Sequence, residues 1–206
     1  MDQETHDKLK QIKSRFRLLM NGVASQSMRD KGLGYKINWG VGLPVLRQIS
    51  VEYGKDYELA VELWKENIRE CKILATMIMP PEQMQPDMVD LWVNQIPNQE
   101  IAEMAAFNLF QYIEGAKDYA LKWLAAENAA EQICGYNVLS RLFIRNVELD
   151  VREINEFVDQ AQTALNDSNV SVRHAAVNAL SRFGQMNDEY SKILKSAFKS
   201  YDLDIF

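Results

Sequence analysis

The sequence is poor in residues that interrupt helices or cross-link chains. Only five of 206 residues are Pro, and none follows Pro97. The second half therefore has no obligatory break in a helical hydrogen-bond ladder. Two cysteines, Cys71 and Cys134, lie far apart without CxxC or zinc-ligand spacing. A disulfide framework is not indicated, and two buried thiols are expected. His6 and His174 are too few for a histidine metal site, so neither a metal nor a cofactor is expected. No run approaches the ~18 consecutive apolar residues of a membrane span, so a membrane partner is not expected. The N-terminus is charged (Asp2, Glu4, Asp7, Lys8, Lys10) and lacks an apolar h-region, so the cytoplasm is the expected compartment. Gly32, Gly34, Gly40 and Gly42 lack both a following Gly-Lys-Ser/Thr and dinucleotide-fold spacing, and read as a connector. No nucleophile elbow or Ser-His-Asp order is present.

What is abundant is apolar and charged surface. Apolar residues make up 47% and aromatic residues 10%, too much for a disordered chain. Net charge is −6, which argues against a generic polyanion binder. The charge is unevenly spread. Residues 1–50 carry nine Lys/Arg and four acids, net +5, which leaves −11 for the rest. A basic N-terminal segment can meet phosphate, although a solvated helix face is the simpler reading. Paired acids such as Asp87/Asp90 and Asp202/Asp204 read as solvated helix ends.

From Tyr57 onward apolar residues recur at helical spacing. Leu59, Leu63 and Trp64 form one stripe, and Ile68 to Ile78 a wider one ended by Pro80-Pro81. Met88, Leu91, Trp92 and Gln95 make a short helix stopped by Pro97. Ile101, Met104, Ala105, Leu109 and Tyr112 predict another, and Ala120, Trp123 and Leu124 a further short one. Val138 to Phe143 belong to a longer helix. Ile154, Val158, Ala161 and Leu165 precede Asn166-Asp167-Ser168-Asn169, a helix stop followed by a cap. Val172, Ala175, Ala176, Ala179, Leu180 and Phe183 give the cleanest stripe, and 190–201 reads as a last helix. Trp64, Trp92 and Trp123 sit on apolar stripes and are expected in the core, whereas Trp39 falls in the connector. Breaks every 15 to 20 residues predict an all-α fold, an α–α superhelix of armadillo or HEAT-like helix pairs, with a compact all-α bundle as the alternative. Residues 1–206 are expected to form one such domain, with 1–45 a basic helical segment and connector.

Two stretches resemble the AlkD-like DNA alkylation repair family of HEAT-like repeat glycosylases. The first is Asn38-Trp39-Gly40-Val41-Gly42-Leu43-Pro44-Val45-Leu46-Arg47. The second runs from Tyr57-Glu58-Leu59-Ala60 through Leu63-Trp64 and Ile68-Arg69-Glu70 to Ile78. Asp90-Leu91-Trp92-Val93 and Val172-Arg173-His174-Ala175 continue the likeness, which covers about residues 35–185. The resemblance implies hydrolysis of the bond between an alkylated purine and its sugar. A carboxylate stabilises the developing sugar cation and orients water, and aromatic faces hold the cationic nucleotide.

The family's Trp and Asp, four residues apart, align with Gln99 and Glu103. Its second Trp falls on Asn178, the following Arg on Ser181 beside Arg182, and an earlier Arg near Gln132. Glu103 is thus the one candidate catalytic residue. Its extra methylene moves the carboxylate by ~1.5 Å, enough to cost ~10²-fold where positioning matters. The departures at Gln99, Gln132, Asn178 and Ser181 imply a non-catalytic family member. Its expected ligand is double-stranded DNA, held by the basic segment with Arg47, Arg69, Lys72, Arg173 and Arg182. The rivals are an active glycosylase using Glu103 and a scaffold for a protein partner.

Overall fold

Asn and Asp side chains set most of the helix starts. In the computed structural model, which describes residues 2–199 and Tyr201, eight of them accept a backbone N–H at a helix N-terminus: Asp2, Asn21, Asp56, Asn98, Asn128, Asp150, Asn169 and Asn187. Each satisfies a donor that the first turn would leave unpaired. Asp150 and Glu153 complete a reciprocal capping box. The cap read from the Asn166–Asn169 run is Asn169, which accepts from Ser171 N. Twelve α-helices result among the described residues, and no strand longer than an isolated Ile37–Ile68 bridge. Asp202 and Asp204 lie outside the described residues.

The chain packs as two compact units, Met1–Leu109 and Phe110–Phe206. The first contains α1 (Gln3–Leu18), α2 (Gly22–Asp30), α3 (Leu43–Tyr53), α4 (Tyr57–Lys65), α5 (Arg69–Ile78), α6 (Pro86–Asn94) and α7 (Gln99–Asn108). Its hub is α5, which packs against α3, α4 and α7. Every residue of α5 except Met77 is buried. Trp64 and Trp92 stack with centroids 4.2 Å apart and planes 2° from parallel, in the core as expected. The short helix α6 buries Val89, Trp92 and Val93, while Leu91 is 50% exposed. Its inward face is therefore rotated from the stripe read in the sequence.

Charge is buried at the start of α5. Glu70 is fully buried, Arg69 is 2% exposed, and they pair at 3.3 Å. Arg69 Nε donates to Glu100 at 2.9 Å and its Nη1 to the Val41 carbonyl at 3.0 Å. Glu70 accepts the backbone N–H groups of Trp39 and Val41, both at 3.2 Å. The Tyr35 hydroxyl donates to Glu100, and the Arg69 backbone N–H to Ile37 O. Burial and the Glu100 carboxylate push the Tyr35 phenol well above its usual range. The connector 33–42 forms no helix, and these bonds hold it.

The second unit comprises a 3-10 turn (Phe110–Tyr112), α8 (Ala116–Leu124), α9 (Ala129–Ile144), α10 (Val151–Leu165), α11 (Val170–Gly184) and α12 (Asp188–Ala197). Its core is aromatic: Phe143, Phe157 and Phe183 meet pairwise at 5.2 to 5.5 Å. Gly135 lets α9 approach α8, since a Cβ there would lie 2.7 Å from the Ala120 carbonyl oxygen. The helix read from Ile101 to Tyr112 is shorter than its apolar spacing suggests. It ends at Asn108, and Tyr112 is 54% exposed beneath the Arg145 guanidinium, 5.3 Å from the ring centroid.

The Arg69–Glu70 pair gives a stability prediction. Arg69→Ala leaves the Glu70 charge buried and uncompensated, at a cost of about 3–5 kcal/mol. Glu70→Gln retains an acceptor oxygen for one of the Trp39 and Val41 N–H groups, leaves Arg69 paired with Glu100, and costs less. Urea unfolding followed by tryptophan fluorescence should rank the midpoints wild type, then Glu70→Gln, then Arg69→Ala. The reverse order of the two variants would contradict the network.

Candidate nucleic-acid interface

Whether a cation can meet phosphate depends on what already holds it. Of the nine Lys/Arg in residues 1–50, three are neutralised within the unit. Lys8 pairs with Asp56 at 3.0 Å, Lys13 with Glu66 at 2.9 Å, and Arg15 with Glu52. The other six, Lys10, Arg17, Arg29, Lys31, Lys36 and Arg47, are exposed and form no ion pair among the described residues. Arg17 lies 5.9 Å from the ring centroid of the half-buried Trp39. Lys10, Lys13, Ser14 and Arg17 project along one side of α1 and line a groove of about 430 Å³, closed opposite by Glu62 of α4 and Glu66 just after it. The basic segment is thus a charged surface, as its composition suggested.

The individual cations read from the sequence fare unequally. Arg47 is exposed on α3. Arg69 is committed to Glu70, Glu100 and Val41. Lys72 is 9% exposed, donates to the Trp64 carbonyl at 2.7 Å, and sits 4.3 Å from the Trp64 ring centroid. Burial lowers its pKa to about 8. Neither Arg69 nor Lys72 presents its charge at the surface. Both lie on α5, which is covered on all sides, and the sequence pattern does not reveal that. In the second unit, Arg173 donates to the Asp167 and Ser168 carbonyls before α11. Arg182 is exposed on α11, with Nη1 3.1 Å from Gln185 Oε1.

The positions matched to the family's reaction centre divide between the units. Gln99 and Glu103 lie one turn apart on α7, both half-buried, and Gln99 Nε2 donates to Glu103 Oε1 at 2.7 Å. The Glu103 carboxylate thus has an amide donor at the position expected from the resemblance to hold an aromatic face. In the second unit Gln132 Nε2 closes the turn before α9 by donating to the Ala126 carbonyl at 2.6 Å. Asn178 is exposed on α11, and Ser181 Oγ accepts from Gln185 at 3.3 Å. Among the described residues no cluster of three or more His, Cys, Asp or Glu could hold a metal ion. No described helix is long and apolar enough to cross a membrane.

A family model described as "DNA alkylation repair enzyme" matches residues 12–193. The chain belongs to the DNA alkylation repair family. No curated protein matches it. A solved structure, of a protein from a family described as related to the HEAT-like repeat DNA glycosylases with affinity for branched DNA structures, superposes with a TM-score of 0.80. The match has 17% identity and covers 93% of this chain and 80% of that one. The all-α fold is thus similar to a HEAT-like repeat fold, as the helix periodicity predicted.

Lys72 supplies a titration test. Its folded pKa lies below its unfolded value, so the unfolded chain binds the extra proton between the two. Its contribution to stability therefore rises as pH climbs from about 8 toward 10.5. Relative to Lys72→Met, the wild type should gain stability across that window. Side-chain NMR of labelled lysine should show one ammonium titrating well below the others. A Lys72 that titrates with the exposed lysines would contradict its placement.

Proposed function

We propose that this chain is a DNA-binding member of the alkylation repair family that holds structured DNA and does not excise bases. The observation that carries the reading is the Gln99–Glu103 hydrogen bond on α7. A glycosylase that expels a cationic base needs preorganised negative charge and π-faces at the sugar. Here an amide stands in the aromatic position, and the carboxylate is longer by a methylene. The altered positions Gln132, Asn178 and Ser181 on α9 and α11 point the same way. The six unpaired cations of the N-terminal segment support phosphate contact, and the protein of similar fold has affinity for branched DNA. A chain with net charge −6 should bind weakly and with steep salt dependence. An active glycosylase using Glu103 is the second reading, favoured by that residue's partial exposure.

Fluorescence anisotropy with duplex, abasic and branched DNA at two salt concentrations tests the binding. If about five cations touch phosphate, log Kd should rise with log salt with a slope of about 4 to 5. Absence of binding at low salt would refute DNA as the ligand. Excision of alkylated purines, abolished by Glu103→Gln, would refute the non-catalytic reading. Release at the buffer rate in both proteins is the expected result.

A further inference from the structure

The turn joining α1 to α2 presents aliphatic side chains to water. Leu18 is 86% exposed, Leu19 43%, Met20 60% and Val23 83%. Contiguous apolar exposure of this kind marks a contact surface rather than ordinary scatter. The turn is also held firmly. Asn21 N donates to the Trp39 carbonyl at 2.8 Å, and Asn21 Oδ1 caps α2 by accepting Ala24 N at 3.0 Å. Ser25 Oγ donates to Asn38 O at 2.8 Å. Gly40, at φ +73°, abuts this turn so closely that a Cβ would lie 2.2 Å from the Asn21 carbonyl oxygen. The apolar tip is therefore preformed, and its backbone is pinned to the connector that Glu70 holds.

Charge around the tip selects the partner. From Arg17 to Arg47 the chain carries Arg17, Arg29, Lys31, Lys36 and Arg47 against the single acid Asp30, whereas the whole chain is net −6. An apolar tip set in a cationic segment fits a polyanion that also offers apolar faces. DNA at a branch point has both, phosphates and base-pair faces no longer covered by the next pair. A continuous duplex offers those faces only after a base step is unstacked, which costs energy. We propose that Leu18, Leu19, Met20 and Val23 form a wedge that docks on the exposed base faces of branched DNA, with the neighbouring cations on the flanking phosphates. The inference rests on the DNA-binding reading above and assigns its structural preference to one element.

The test compares a four-way junction with a linear duplex of the same length and total charge, using the full chain at one salt concentration. Leu18→Ser/Val23→Ser changes no charge and alters two of the most exposed side chains. An unchanged urea midpoint will show that the fold is intact. The variant should lose about tenfold in junction affinity, the order expected for apolar surface no longer buried. Linear-duplex affinity and salt slope should stay as in the wild type. A junction preference equal to the wild type's would overturn the wedge while leaving DNA binding standing. A wild type that binds neither DNA would overturn both. Two parallel measurements close the alternatives: sedimentation with phosphatidylserine vesicles, and light scattering for self-association. A loss confined to vesicle binding, or to self-association, would assign the tip to lipid or to a second copy and overturn the proposal.

Discussion

The buried Arg69–Glu70 pair is the constraint on which the N-terminal unit is built. Two adjacent charges at the start of α5, both nearly without solvent, require compensation from all sides. That compensation comes from distant parts of the chain. Glu70 takes two backbone donors from the connector, and Arg69 takes the Val41 carbonyl and the Glu100 carboxylate at the start of α7. An apolar pair would tolerate small slips in register, whereas this one specifies which atoms must meet. The connector and the start of α7 are thereby fixed to one helix terminus. Glu70 also stands in the first turn of α5, where the helix dipole favours negative charge.

The same constraint links the elements that the proposed function uses. The connector carries Trp39 and Gly40 against Asn21, so the pinned segment determines how the α1–α2 turn is displayed. Glu100 lies next to Gln99 and one turn before Glu103, so its bond to Arg69 fixes the rotation of the helix that holds both. On the proposed reading, Arg69 serves DNA binding through the residues it positions and not by contact. Arginine suits this role because its planar fork serves two acceptors at once and remains charged when buried.

Much of the fold was legible in the sequence because it rests on local signals. The apolar stripes, the proline stops and the Asx caps each act within one turn or one helix, and the core tryptophans lay on those stripes. The rest depended on contacts far apart in sequence. The stripe at 88–95 misplaced Leu91 because a nine-residue helix allows more than one inward face and its neighbours decide among them. The run to Tyr112 looked continuous because apolar spacing persists through the break after Asn108. Arg69 and Lys72 read as surface cations because periodicity cannot show that a helix is covered on every side. The basic segment was visible as composition, but which of its cations are neutralised depends on Asp56, Glu66 and Glu52, residues 37 to 53 positions away.

On the non-catalytic reading proposed above, retention of the fold and replacement of site residues separate for a physical reason. Helix pairs are held by apolar surface spread over many residues, so no single exposed position is essential to them. A reaction centre concentrates its energetics in a few groups, and exchange of an aromatic face for an amide removes a cation–π contribution of about 0.5–2 kcal/mol at one stroke. Gln99 and Glu103 satisfy one another at 2.7 Å, so α7 loses nothing by the exchange. An acidic chain that keeps a cationic N-terminal face can still meet phosphate there, where like-charge repulsion from the rest is screened within about 10 Å at moderate salt. On the proposed reading, the binding surface and the reaction centre rest on different residues, so the first persists when the second does not.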